Sequence, residues 1–184
     1  MQSLCCIAFI FCLMICYTEY TSPIGILTIS TDGTALTGLW IQNQKYYPNL
    51  TNYNQVSPTS HPILIAAANW LDLYFSGKNP TITTLPLSPQ GTPFRRQVWR
   101  YLCQIPYGQT TTYGAIAKAI AAENNIPSMS SQAIGGAVGH NPISIIIPCH
   151  RVVGADGTLT GYAAGTDIKR RLLALEGADV TKFT

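Results

Sequence analysis

The stretch Asn141-Pro142-Ile143-Ser144-Ile145-Ile146-Ile147-Pro148-Cys149-His150-Arg151-Val152-Val153 decides how this chain is read. Its branched apolar run at 145–147 predicts a strand driven into the core and stopped by Pro148. A thiol and an imidazole follow at once. Cysteine is a strong nucleophile only as thiolate, and a neighbouring base can supply that form. A thiol at the end of a rigid strand, with a base beside it, suits a small, water-poor pocket built for attack by sulfur. The same residues also fit buried filler, since cysteine is among the most buried residue types and most such thiols are inert.

Helices precede this stretch and one follows it. Thr92-Pro93 supplies an N-cap and a proline at the first helical position, with Phe94, Val98 and Leu102 on one face and Arg95, Arg96 and Arg100 off it. Ile105-Pro106-Tyr107-Gly108 ends that helix, and Thr112 caps a second with Ile116, Ala117, Ile120 and Ala121 inward. A loop at 124–128 leads to a third helical segment at 130–140, and the pair resembles a helix-turn-helix. A last helix at 167–176 turns Ile168, Leu172 and Leu175 inward and Lys169, Arg170 and Arg171 largely outward.

The third segment is unusual. Gln132-Ala133-Ile134-Gly135-Gly136-Ala137-Val138-Gly139 holds three glycines, each costing ~1 kcal/mol against alanine inside a helix. Either the helix packs tightly on a neighbour, or its face is kept small for a partner's backbone, such as a DNA minor groove ~6 Å wide.

The first half reads differently. Residues 17–21, 25–30 and 35–42 are short β-branched or aromatic runs separated by Ser22-Pro23 and Asp32-Gly33, which predicts antiparallel strands with tight turns. Residues 43–60 are polar and predict a loop. Residues 62–76 show helical apolar spacing through Ile63, Ala67, Trp70, Leu71, Tyr74 and Phe75, with Gly77 closing the helix. Residues 79–87 add one more candidate strand, and Ser88-Pro89-Gln90-Gly91 reads as a linker. Nothing in this half announces chemistry: His61 reads as a helix-start residue and Trp70 as core.

Charge separates the halves as well. Residues 92–184 carry nine Lys and Arg against five acids, whereas residues 1–91 carry two against three, so the second half is the one suited to a polyanion. The six cysteines show no C-x-x-C pair and no zinc spacing, which points to a reducing, cytoplasmic setting without a metal. Residues 4–17 are nearly all apolar, but no Lys or Arg precedes them and no small-residue cleavage site follows. Fourteen helical residues reach ~21 Å, short of the ~30 Å hydrocarbon core. Residues 1–13 are therefore read as an upstream extension, with Met14 as the start.

Several segments converge on a family. Residues 141–153, Ile105-Pro106-Tyr107-Gly108, Thr112-Tyr113-Gly114, Ala133 to Gly136, Gly161-Tyr162 and Leu173-Ala174-Leu175-Glu176-Gly177 are similar to the O6-alkylguanine-DNA alkyltransferases. The similarity is strong over residues 92–178 and looser over residues 20–40 and 62–76.

The resemblance implies an α/β N-terminal domain over 14–88, a small antiparallel sheet plus helix of ribonuclease-H-like type. A mainly α, winged helix-turn-helix-like domain over 89–184 follows it. It implies a monomer that binds duplex DNA, rotates an alkylated guanine out of the stack, and moves the alkyl group to Cys149 once per molecule, irreversibly and without cofactor. O4-alkylthymine is a second expected substrate. Tyr113 matches the donor to the leaving guanine oxygen, and a phenol of pKa ~10 can fill that role. His150 matches the base, reaching the thiol through a water, and Glu176 the carboxylate behind it. Asn141 matches a residue that ties the turn to the active-site loop. Tyr162, Val152, Val153 and Gly154 would bound the base pocket. Gln132, Ala133, Gly135, Gly136, Ala137 and Arg151 would meet DNA. Gln132 stands where the family usually has arginine, which predicts weaker binding or slower flipping, since glutamine supplies no charge or cation–π stacking.

Three other readings stand beside this one. A lesion-binding protein would bind alkylated DNA without transfer, although Cys149 argues against it. A winged-helix transcription factor would carry the Cys-His pair incidentally. A cysteine hydrolase would use Cys149, His150 and Asn141 as a triad.

Overall fold

The computed structural model describes residues 15–183, so the expectations for residues 1–13 and for Met14 lie outside the described residues. Three strands form where β-branched runs alternate with turn residues: β1 (Cys16–Ser22), β2 (Gly25–Thr31) and β3 (Leu36–Ile41). β1 pairs antiparallel with β2 from Cys16↔Thr31 to Ser22↔Gly25, and β2 with β3 from Leu27↔Ile41 to Thr31↔Leu36. The first hairpin needs Gly25 at φ 117°, where a side chain would be strained. In the second, the Asp32 carboxylate accepts from the backbone of Thr34 and Ala35 at 2.8 and 2.9 Å and folds the turn.

Two expectations in this half are corrected. Within the polar stretch 43–60, Asn54–Gln55 forms a short β4 parallel to β1, so the sheet is mixed, in the order β3-β2-β1-β4. Asn54 and Val56 donate to the carbonyls of Ile15 and Tyr17 at 2.9 Å, and backbone pairing of this kind leaves no apolar period in the sequence. Residues 79–87 form no strand but a 3-10 turn at Ile82–Thr84 and one bridge from Leu87 to Leu36. Pro80 and Pro86 remove the ladder donors that a strand would need.

Helix α1 (Pro62–Phe75) starts at His61, whose Nδ1 accepts from the Ile63 N–H, and buries Leu64, Ala67, Trp70, Leu71 and Tyr74. It lies across the sheet. The edge of β3 is closed by the second half of the chain: Leu39 donates to Pro142 at 2.9 Å, and Ser144 donates back to Leu39 at 2.8 Å. An edge strand left open would invite pairing with another chain; here it carries the turn that leads to Cys149.

The second half is helical. Thr92 caps α2 (Pro93–Leu102), Thr112 caps α3 (Tyr113–Glu123) and Ser130 caps α4 (Ser131–Gly139), each hydroxyl accepting from a first-turn N–H. α3 and α4 pack as the two helices of a helix-turn-helix. A two-residue strand β5 (Thr111–Thr112) before them pairs parallel with β6 (Val152–Val153). Helix α5 (Thr166–Leu175) closes the fold. One apolar cluster runs from Leu27, Leu39 and Leu64 through Val98, Ile134 and Ile146 to Cys149 and Leu172, so the two halves share a core.

Candidate active site

The strand expected at 145–147 is a buried turn instead. The Asn141 side chain stands at its centre: Oδ1 accepts from Ile143 N at 3.0 Å, while Nδ2 lies 2.8 Å from the Ile147 carbonyl and 3.1 Å from Cys149 Sγ. Ile146 and Ile147 donate to the carbonyls of Ser144 and Ile143, which closes the turn. Ile145 sits at φ 71°, a conformation that a β-branched residue adopts only at a cost of about 1–3 kcal/mol. Burial of Ile143, Ile145, Ile146 and Ile147 offsets that strain. An apolar run signals burial, not extension, which is why the sequence misled here.

Cys149 opens a 3-10 turn (Cys149–Arg151) with its thiol buried against the Asn141 amide. Burial pushes the thiol pKa up, and the Asn141 bond and the Lys169 charge act to lower it. His150 is fully buried and bonds Glu176 Oε1 through Nε2 at 2.7 Å. Its Nδ1 is buried without a hydrogen-bond partner. Burial pushes the imidazole pKa down, and Glu176 resists that change. Glu176, which in isolation reads as a surface acid near a helix end, is buried too. Burial alone would raise its pKa, but bonds and charge from His150 and Arg151 hold it at about 2.

Tyr113 opens α3 and points its hydroxyl at the Thr160 carbonyl, 3.0 Å away. Burial, together with the Cys149 charge, lifts its pKa to about 12, so it is a donor at any physiological pH. Gly161, at φ 81°, keeps the loop close: a Cβ there would lie 2.9 Å from the Tyr113 hydroxyl. Tyr162 buries its hydroxyl without a hydrogen-bond partner, close enough to Cys149 for a thiolate to raise its pKa. Val152 faces the main core, while Val153 joins a second cluster with Leu159 and Leu173. Gly154 allows a tight turn, since a Cβ there would meet Thr158 Oγ1 at 2.2 Å.

On α4, Gln132, Ala133 and Gly136 are exposed, and Gly135 is half-buried beside the Tyr113 ring. Beyond the backbone of α4 itself and the adjoining residues, no described atom lies within 4 Å of where a Cβ would stand on Gly136 or Gly139, so packing against another element does not explain these two glycines. Two expected DNA contacts are corrected. Ala137 is buried, and its carbonyl accepts from Trp99 Nε1 at 2.9 Å. Arg151 is buried, giving Nε and Nη2 to Glu176 at 2.8 and 3.0 Å and Nη1 to the Ile105 carbonyl at 2.6 Å. A guanidinium matches a carboxylate through two parallel bonds, and that pairing drew the charge inward. Lys169, expected outward, is fully buried and ties Val152 O at 2.5 Å to Thr160 O at 2.9 Å. Burial lowers its pKa to about 8.

Sequence reasoning missed Tyr74. This α1 residue belongs to the half that showed no chemistry, yet its hydroxyl donates to Glu176 Oε1 at 2.8 Å. Its apolar period read as core, which it also is.

Among the described residues no cluster of His, Cys, Asp and Glu could hold a metal, and no helix is long and apolar enough to cross a membrane. The fold and site define a DNA-binding helix-turn-helix unit with a buried cysteine, fused to a ribonuclease-like α/β unit. Residues 93–178 match the family model of the 6-O-methylguanine DNA methyltransferase DNA binding domain, and residues 15–89 match that of its ribonuclease-like domain. The chain belongs to the 6-O-methylguanine DNA methyltransferase family. It is 43% identical to the methylated-DNA–protein-cysteine methyltransferase of Mycobacterium tuberculosis over 92% of this chain and 99% of that protein. The Haemophilus influenzae protein of the same name is 42% identical over 87% of this chain and 85% of its own. The crystal structure of Mycobacterium tuberculosis OGT in complex with DNA aligns with a TM-score of 0.77 at 39% identity, covering 91% of this chain and 98% of that one.

Proposed function

We propose that this protein repairs duplex DNA by moving an alkyl group from O6 of guanine to Sγ of Cys149, once per molecule. We read residues 14–88 and 89–184 as its two domains, and a monomer in the cytoplasm as its working form. A reducing compartment suits a thiol that must stay unoxidised. O4-alkylthymine presents the same O-alkyl carbon and is a second substrate.

The carrying observation is that Glu176, 26 residues from His150, holds at 2.7 Å the buried imidazole that follows Cys149 in the chain. Glu176 accepts at Nε2, so that nitrogen carries the proton and Nδ1 keeps the lone pair. Nδ1 takes the thiol proton through a water. Asn141 Nδ2 donates to the sulfur and favours its anion. The thiolate attacks the alkyl carbon; the S–C bond forms as the C–O6 bond breaks. Guanine then gains one proton for the one lost by the thiol, so no cofactor or co-reactant is consumed. Tyr113 donates to O6 as charge develops there, giving up the Thr160 carbonyl for the substrate. Tyr162 and β6 bound the space for the flipped base.

The exposed stripe Gln132, Ala133 and Gly136 enters the DNA groove. The open space around Gly136 and Gly139 favours a partner backbone over a protein neighbour. A hydrolase triad fits less well, because Asn141 bonds the sulfur and not the imidazole.

The test is the mass of the protein after incubation with an O6-methylguanine duplex. One added methyl on Cys149, absent in Cys149→Ser, is the expected result. Binding without an adduct would support a lesion-binding protein, and turnover without an adduct a hydrolase; either overturns the transfer reading.

A further inference from the structure

Glu176 receives more donors than a dyad needs. Oε1 takes His150 Nε2 at 2.7 Å, Tyr74 Oη at 2.8 Å and Arg151 Nη2 at 3.0 Å, while Oε2 takes Arg151 Nε at 2.8 Å and the Gly108 N–H at 3.1 Å. Tyr74 is the member that comes from the other half of the chain. Its ring is clamped between Trp70, stacked at 5.5 Å, and Phe75 and Tyr107, edge-on at 5.4 and 6.1 Å. Its hydroxyl also lies 3.5 Å from His150 Nε2.

We propose that Tyr74 is a positioning residue for alkyl transfer: its hydroxyl shares Glu176 Oε1 with His150, and so sets how strongly the carboxylate pulls on the imidazole. The inference deepens the transfer reading and rests on it.

An ionised carboxylate only accepts, so Tyr74 donates and Glu176 stays anionic beneath it. Each donor that Oε1 accepts weakens its hold on the others. With Tyr74 in place, Glu176 orients the ring through Nε2–H without making the imidazole so basic that it remains protonated. The groups that face this pair are Cys149 and Arg151 from the 3-10 turn, Lys169 from α5, Tyr107 from the loop before β5, Tyr162 from the loop before α5, and Tyr74 from α1. Arg151 and Lys169 both push the imidazole toward its neutral form. Tyr74 acts in the same direction by weakening the opposing carboxylate. The ribonuclease-like half therefore tunes the chemistry of the other half through one hydroxyl.

The sign follows. Transfer needs neutral His150, so the rate falls as pH drops through the imidazole pKa. Removing the hydroxyl in Tyr74→Phe strengthens the Glu176–His150 bond and raises that pKa. The acid limb of the single-turnover rate should move up by about half to one pH unit, the shift expected from the loss of one charge-assisted hydrogen bond to a shared acceptor. Placing 3-fluorotyrosine at 74, a stronger donor of nearly the same size, should move it down. Trp70→Phe loosens the same clamp without touching the hydroxyl and should lower stability with the limb unmoved.

The experiment uses the full chain, an O6-methylguanine duplex from pH 5 to 9, and ¹⁵N spectra of the His150 ring in protein without DNA. The limb and the imidazole titration shifting together, in opposite directions for the two Tyr74 replacements, support the proposal. Both replacements matching wild type, or Trp70→Phe shifting the limb equally, overturn it. If Tyr74→Phe does not fold, the fluorotyrosine protein decides alone. If wild type transfers no methyl, the transfer reading fails while the ring spectra still test the contact.

Discussion

The basic side chains of α2 and those near the thiol came from one charge tally and had opposite fates. Arg96 and Arg100 lie exposed on α2, where Arg100 pairs with Glu123 at the surface. Arg151 and Lys169 are buried within the site, one on a carboxylate and one on two carbonyls. A surface pair is worth about 0–1 kcal/mol, while removing one partner of a buried pair costs about 3–5 kcal/mol. The number of positive charges in this half therefore says little about its DNA-facing surface until each has been placed.

Arg151→Met is the sharpest way to break that contrast. It leaves Glu176 buried without its guanidinium and should cost about 3–5 kcal/mol by denaturant unfolding. A cost near that of a surface arginine would erase the distinction. Glu176 adds a pH signature. Its pKa falls from 4.5 to about 2 on folding, so its contribution is present above about 4.5 and is lost as pH drops toward 2. Wild type should lose its advantage over Glu176→Gln across that window, measured as a difference in Tm.

Lys169 runs the other way. Its pKa falls from 10.5 to about 8, so the unfolded chain binds its proton more tightly. Stability should then rise from pH 8 to 10.5 relative to Lys169→Met. A difference in Tm that stays flat would show that the charge is not confined. Gln132→Arg returns charge to the exposed stripe and should tighten duplex binding and steepen its salt dependence by about one unit of slope. Equal affinity at every salt concentration would remove Gln132 from the interface. Arg100→Ala closes the series, with less than about 1 kcal/mol expected from the loss of its Glu123 contact.

Legibility followed the physics of each segment. The caps at Thr92 and Thr112, the proline at 93 and the strand-turn rhythm before residue 42 depend on near neighbours, and all were readable in order. β4 was not, because two polar residues pairing through backbone carry no side-chain period. The run at 145–147 misled for a different reason: isoleucine reports burial, while the turn there is imposed by the Asn141 side chain and the edge of β3. Glu176 and Asn141 were found by resemblance alone. Tyr74 carried no signal beyond its helical spacing.

Local chemistry along the chain determined the helix starts, the hairpins, the division into a sheet-bearing half and a helical half, and the Cys149-His150 pair itself. These rest on interactions spanning a few residues. The tertiary structure alone decided which charges would be buried, which face of α4 would stay open, and which hydroxyl from the first half would reach the second. Those outcomes depend on side chains up to 102 residues apart meeting around one carboxylate, where burial makes each missing partner costly.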